Sequence, residues 1–114
     1  MSAFTAWRYD MTGGKPLKIG VLASGGGSNL QSIIDHSIAG DLGAEVAVVI
    51  SNNSGAGALA RARTHGIPNA HISTITEGSR EGEDRRIADE LMRRNVDLVV
   101  LAGYMKRVGP IVLD

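Results

Sequence analysis

Apolar positions along this chain fall into short continuous runs and into segments with helical spacing. One apolar run ends at Ala23 and a second covers residues 44–50, a pattern typical of parallel strands that are covered on both faces. Between the runs, four apolar residues recur at the spacing of one helix face: Leu30, Ile33, Ile34 and Ile38. The pattern therefore predicts a strand, a helix that begins near residue 28 or 29, and a second strand.

The second half of the chain continues the alternation. It predicts a helix over residues 56–65 closed by Gly66, a short strand over 70–72, a polar loop over 73–78, a helix over 80–94 capped by Ser79, and a strand over 97–102. In the last helix, four apolar residues are expected to face the sheet and its carboxylates to form a solvated face. The four are Ile87, Ala88, Leu91 and Met92.

This order of elements predicts the fold class. Strands separated by helices give an α/β fold: a doubly wound parallel sheet of about four strands with helices on both faces, truncated after the fourth strand. Ligands of such sheets bind at the carboxyl ends of the strands.

The turn after the first strand carries the clearest chemical signal. It reads Ser24-Gly25-Gly26-Gly27-Ser28-Asn29. Glycines allow close approach of backbone N–H groups, and the following helix directs its positive end to the same point, so the turn predicts an anion site. Replacing Gly27 with valine is expected to place methyl groups where the anion would lie.

The residues after Gly27 disfavour two common anions. No Gly-Lys-Ser/Thr sequence is present, so a nucleoside triphosphate is disfavoured. The third glycine of the dinucleotide fingerprint is replaced by Leu30, and the second strand ends in Ser51-Asn52-Asn53 without an acid. A compact monophosphate site remains, and a glycine-rich connection without a ligand is the alternative.

Composition narrows the partners. The 114 residues include 12 basic and 12 acidic side chains, so no single-sign field favours nucleic acid or a membrane surface. No cysteine is present, which excludes disulfides and thiolate metal sites and fits a reducing compartment. We expect a small-molecule partner, no metal and a cytoplasmic location. Residues 1–16 are expected to form a disordered extension, and a homodimer is the oligomeric state to test.

Three separated segments resemble one family, phosphoribosylglycinamide formyltransferase. They are Val21-Leu22-Ala23-Ser24-Gly25-Gly26-Gly27-Ser28-Asn29-Leu30-Gln31, Ile50-Ser51-Asn52 and Leu101-Ala102-Gly103-Tyr104-Met105-Lys106. The resemblance implies transfer of a formyl group from 10-formyltetrahydrofolate to glycinamide ribonucleotide in purine biosynthesis. It assigns residues 17–114 to the N-terminal, ribonucleotide-binding part of the formyltransferase domain.

The resemblance also implies roles for individual residues. Gly27, Ser28 and Asn29 would hold the ribonucleotide phosphate, and Arg80 would reach the same phosphate. Four residues, Met105, Lys106, Arg107 and Val108, match the segment that lines the folate pocket. Lys106 stands where the family commonly has arginine, and Tyr104 where it commonly has phenylalanine.

The family's catalytic Asn-x-His segment and later aspartate have no counterpart among these residues. His36, His65 and His71 lie off the family motif, so the 114-residue chain alone is expected to be inactive. The alternatives are a formyltetrahydrofolate deformylase and a non-catalytic module that binds phosphoribosyl compounds.

Overall fold

A computed structural model describes residues 17–40 and 43–104. The elements in chain order are β1 (Leu17–Leu22), α1 (Ser28–Ala39), β2 (Ala44–Ser51), α2 (Gly57–Thr64), β3 (Asn69–His71), α3 (Thr74–Glu77), α4 (Arg80–Arg93) and β4 (Leu98–Leu101). The predicted extension at residues 1–16 and the predicted folate segment at residues 105–108 lie outside the described residues.

The four described strands form one parallel sheet in the order β3-β2-β1-β4. From β1 the chain moves outward to β2 and then to β3. After β3 it crosses back over the sheet, and β4 pairs with the other side of β1. Ile19 accordingly aligns with Val46 on one side and Leu98 on the other. The predicted α/β architecture is confirmed.

Helices cover the two faces of the sheet in separate layers. On one face, α1 and α2 pack on Ile19 and Val21. On the other, α4 packs on Leu22, and a Cβ at Gly20 would lie 2.5 Å from the Leu91 side chain. Gly20 therefore allows α4 to approach the central strand closely.

An irregularity in β2 reverses which of its residues face each layer. The pairing with β1 shifts between Ile19 and Gly20, which align with Val46 and Val48. Val46 packs against the α1/α2 layer, whereas Val48 packs against the α4 layer and Val49 faces α1 and α2 again. An extra residue in a strand changes the face presented by every later side chain.

Three sequence predictions are wrong in detail. The segment 73–78 is not only loop, because Ser73 and Thr76 form a capping box that begins the short helix α3. Ile38 and Met92 are each 70% exposed. Ile38 borders a surface cavity of about 140 Å³ beside the start of β2, and Met92 lies about 100° around the helix from the buried Leu91.

The carboxylates of α4 also differ from expectation. Glu83, Asp84 and Glu90 are buried and do not form a solvated face. Glu90 is compensated by arginines: Arg86 Nη1 and Arg94 Nε donate to its two oxygens at 2.9 and 3.0 Å. Buried charges require such partners.

Candidate anion-binding site

The glycine turn lies at the carboxyl end of β1, where α1 begins. Gly27 is the N-cap residue with φ +84°, a left-handed conformation that favours glycine. The helix has no side-chain cap and no acid in its first turn. Among the described residues, none accepts a hydrogen bond from the backbone N–H of Ser28 or Asn29, and both residues are exposed. The helix start is thus open to an external acceptor.

The beginning of α2 packs directly against this turn. The backbone N–H of Ala58 donates to the Gly25 carbonyl at 3.1 Å, and Arg61 Nε donates to the Gly26 carbonyl at 2.7 Å. A Cβ at Gly57 would lie 2.7 Å from the same Gly26 oxygen. The glycine turn is therefore held by α2 through both hydrogen bonds and close packing.

The prediction that a side chain at Gly27 would occupy the position of the anion is wrong. A Cβ there would lie 2.8 Å from the Ala58 backbone and 3.1 Å from Arg61 Cδ, so valine would collide with α2. At Gly25 and Gly26, in contrast, an added Cβ meets nothing within 4 Å. The open side of the turn is at Gly25 and Gly26.

Polar residues connect the ends of the neighbouring strands beside the turn. Ser24 Oγ donates to Asn52 Oδ1 at 2.8 Å, and the Ser24 backbone N–H donates to the Gly103 carbonyl at 3.2 Å. Asn53 accepts from the Gly55 N–H through its side chain at 3.1 Å. The two bonds of Ser24 fix the relative positions of the segments after β1, β2 and β4, and the Asn53 bond orders the loop after β2.

Arg80 is the first residue of α4 and is exposed. The loop that leads to it leaves β3 at its carboxyl end, the same edge of the parallel sheet as the glycine turn, but β2 lies between β3 and β1. Arg80 and Gly27 thus share an edge of the sheet. Contact with a common phosphate stays a prediction.

Tyr104 follows β4 and packs against the α4 layer. Burial, together with the negative charges of Glu83 and Asp84, raises the pKa of Tyr104 to about 12. The phenol, already protonated at neutral pH with the ordinary pKa of 10.0, is held further in that form and can act as a hydrogen-bond donor.

Of the three histidines, His71 alone ends a strand at this edge of the sheet, and β2 lies between that strand and β1. His36 lies on the exposed side of α1, His71 ends β3, and His65 caps α2 with its Nε2 atom 3.2 Å from Gln31 Nε2. Within residues 17–40 and 43–104, no group of three or more histidine, cysteine or acidic side chains is arranged to hold a metal ion. In the same residues no helix is long and apolar enough to span a bilayer.

Sequence reasoning missed two residues beside the turn, Arg61 and Asn52 as a polar partner of Ser24. Asn52 lies in a segment already noted for its resemblance, directly after a strand, which is where parallel sheets place their polar site residues. Arg61 carries no comparable signal, because its contact depends on how α2 packs across 35 residues of sequence.

The sequence profile of the formyl transferase family matches residues 17–114, and the chain belongs to that family. Among its relatives, phosphoribosylglycinamide formyltransferase of Haemophilus influenzae is 46% identical over 93 residues, which are 82% of this chain and 44% of that protein.

Solved structures agree with this assignment. The crystal structure of glycinamide ribonucleotide transformylase 1 from Symbiobacterium toebii matches with a TM-score of 0.83 and 43% identity, over 88% of this chain and 47% of that one. A formyltetrahydrofolate deformylase from Pseudomonas putida matches with a TM-score of 0.74 and 25% identity, over 83% and 33%. The chain spans less than half the length of these relatives.

Proposed function

We propose that this chain supplies the ribonucleotide-binding part of an enzyme that transfers a formyl group from 10-formyltetrahydrofolate to glycinamide ribonucleotide in purine biosynthesis. The observation that carries the proposal is the uncapped start of α1, with Gly27 in a left-handed conformation and open first-turn N–H groups. These groups would bind the substrate phosphate through the backbone at Gly27, Ser28 and Asn29.

Several features support a phosphate over other anions. The first turn of α1 offers consecutive N–H donors and the positive end of a 12-residue helix, an arrangement suited to a compact group with several acceptor oxygens. Arg80 would add a charged donor from the start of α4, which lies at the same edge of the sheet. The backbone of residues Met105, Lys106, Arg107 and Val108 is proposed, on the family resemblance, to line the folate pocket.

The relatives favour this function over hydrolysis of the same donor. The solved glycinamide ribonucleotide transformylase is 43% identical to this chain, whereas the deformylase is 25% identical. A phosphorylated acceptor would also bind the open N–H groups of Ser28 and Asn29. Hydrolysis of the donor uses water as the acceptor and requires no phosphate site.

We further propose that a polypeptide of only these 114 residues binds the ribonucleotide without catalysing transfer. Amine attack on a formyl group requires a positioned proton acceptor and a donor to the developing oxyanion. His36 is exposed on α1, and the ring of His65 contacts Gln31. His71 ends β3, and β2 lies between β3 and β1. None of the three is proposed to fill that role. A cytoplasmic location and a homodimer also stay predictions.

The test is a titration of the ¹⁵N-labelled protein with glycinamide ribonucleotide, monitored by amide chemical shifts. Shifts are expected at residues 26–29, and the N–H groups of the last turn of α4, which ends at Arg93 far from Arg80, serve as an internal control. If the shifts concentrate elsewhere, the proposed phosphate site is wrong.

A charge variant makes the test more specific. Gly26→Asp places a carboxylate on the open side of the turn, and Gly26→Asn has the same shape without the charge. The aspartate variant is expected to weaken ribonucleotide binding by at least about tenfold through like-charge repulsion, and the asparagine variant far less. Equal affinities of the two variants would contradict the proposal.

A further inference from the structure

Arg61 forms two contacts across the gap between α2 and the start of α1. Its Nε donates to the Gly26 carbonyl at 2.7 Å, and its Nη1 donates to Gln31 Oε1 at 3.1 Å. Gln31 in turn donates from Nε2 to Asp35 Oδ1 at 2.9 Å. The planar guanidinium is therefore oriented by the turn on one side and by α1 on the other.

The geometry of the peptide bond converts these contacts into an orientation of N–H groups. In a trans peptide, the carbonyl of one residue and the N–H of the next point in opposite directions. The Gly25 and Gly26 carbonyls are both bonded to α2, through Ala58 and Arg61. The N–H groups of Gly26 and Gly27 consequently point away from α2, towards the open side of the turn.

The charge of Arg61 acts in the same direction. Among the residues that the structure describes, no carboxylate forms an ion pair with its guanidinium, and Asp35 is reached only through Gln31. A cation held against the turn draws carbonyl oxygens away from the open side and favours an anion there.

We propose that Arg61 is a positioning residue. Its hydrogen bonds to Gly26 and Gln31 hold the glycine turn in a conformation in which the N–H groups of the turn face the phosphate. This inference rests on the proposed phosphate site and adds to it a residue outside the turn. Arg61 touches the turn from the side of α2, and the phosphate would bind on the opposite side, so its action is through the backbone of Gly26 and Gly27.

The experiment compares Arg61→Met, Arg61→Lys and Arg63→Met in the full 114-residue chain. Arg63 lies on the exposed side of the same helix and controls for loss of one positive charge. Three quantities are measured: the urea midpoint, the amide order parameters at residues 26 and 27 without ligand, and the dissociation constant for inorganic phosphate at fixed ionic strength.

Arg61→Met is expected to weaken phosphate binding about tenfold, the effect of one hydrogen bond to a charged donor. Its order parameters at residues 26 and 27 should fall. Arg61→Lys keeps the charge without the planar fork, so it should recover only part of the affinity. Arg63→Met should bind as the unmodified protein does.

The inference is overturned if Arg61→Lys binds phosphate as well as the unmodified chain, because charge alone would then suffice. Unchanged order at residues 26 and 27 in Arg61→Met, or an equal loss in Arg63→Met, would overturn it as well. Should Arg61→Met unfold, Arg61→Lys decides the question. Normal phosphate binding by Arg61→Met contradicts this inference alone, whereas absence of binding by the unmodified protein contradicts the proposed function and this role together.

Discussion

The starts of α1 and α4 lie at the same edge of the sheet, yet the first-turn N–H groups are capped by a side chain in α4 and uncapped in α1. At α4, Ser79 Oγ accepts from the Gly82 N–H at 2.9 Å, and Glu81 and Glu83 occupy the first turn. At α1, the N-cap is Gly27, without a side-chain cap or an acid. Side chains of the protein itself therefore satisfy the first-turn N–H groups and the positive end of α4. Those of α1 are open to an external acceptor.

This difference changes how Arg80 can contribute. The positive end of α4 is already offset by two carboxylates, so an anion near Arg80 gains little from the helix itself. An anion near Gly27 gains from both the helix and the N–H groups. We therefore expect α1 to supply most of the affinity for phosphate and Arg80 to add a single side-chain contact.

The largest loss of stability should follow from Gly27→Val, which disturbs the contact between the turn and α2. Positive φ and collision with Ala58 together should cost about 2 to 5 kcal/mol. Urea unfolding measures the change. Gly26→Ala, whose Cβ meets open space, is the control and should change the unfolding free energy by less than about 0.5 kcal/mol. Equal losses in both variants would show that packing on α2 does not determine the effect.

A smaller loss is expected from Glu90→Gln at the other end of α4. Because Arg86, Arg93 and Arg94 are themselves partly exposed, the loss at neutral pH should be about 1 to 2 kcal/mol, below the range for fully buried pairs. Burial raises the pKa of the Glu90 carboxyl, but hydrogen bonds from Arg86 and Arg94 and the charges of Arg93 and Arg86 outweigh it, so the pKa lies below the ordinary 4.5.

The sign of the pH dependence follows from that lowered pKa. The carboxylate stabilises the fold fully above pH 4.5, and its contribution is lost as the pH falls through the lower pKa of the folded state. Urea unfolding between about pH 5 and pH 3 should thus show a shallower acid decline for Glu90→Gln than for the unmodified chain. An unchanged slope for Glu90→Gln would contradict this prediction.

A still smaller loss is expected from Ser79→Ala, which removes the cap of α4. The unfolding free energy should fall by about 1 kcal/mol, because the Gly82 N–H loses its acceptor. Ser79→Asn, which retains a capping oxygen, should restore most of the loss in the same urea measurement. A neutral Ser79→Ala would indicate that α4 is not stabilised by its cap and would weaken the contrast with α1.

The alternating apolar pattern was sufficient to predict the strands, the large helices and the parallel sheet. The glycines around Gly27 likewise predicted an open helix start. The conformation of this turn depends on residues that are adjacent in the sequence, so the sequence was sufficient to predict it. The irregularity in β2 could not be predicted, because residues 44–50 are almost uniformly apolar and show no alternation from which a change of face could be detected.

The buried carboxylates of α4 were missed although a signal exists. Continuing the stripe of Ile87 and Leu91 back by one turn reaches residues 83 and 84, which are buried with it. Their acidic identity argued for exposure, and the neighbouring Thr74 and Tyr104 become visible only in three dimensions. The contact of Arg61 with Gly26 is of the same kind, because it depends on packing between distant segments.

Arg80→Ala should change fold stability least, by less than about 0.5 kcal/mol, because the residue is exposed. Its effect should appear in binding. Affinity for glycinamide ribonucleotide should fall about tenfold, as expected for loss of one charge-assisted hydrogen bond, and the difference should shrink as salt increases. Calorimetry at two ionic strengths measures both effects, with Arg85→Ala as the control on the same helix. Equal weakening of ribonucleotide and folate binding would mean that Arg80 acts through the fold and would leave α1 as the phosphate site's main contributor.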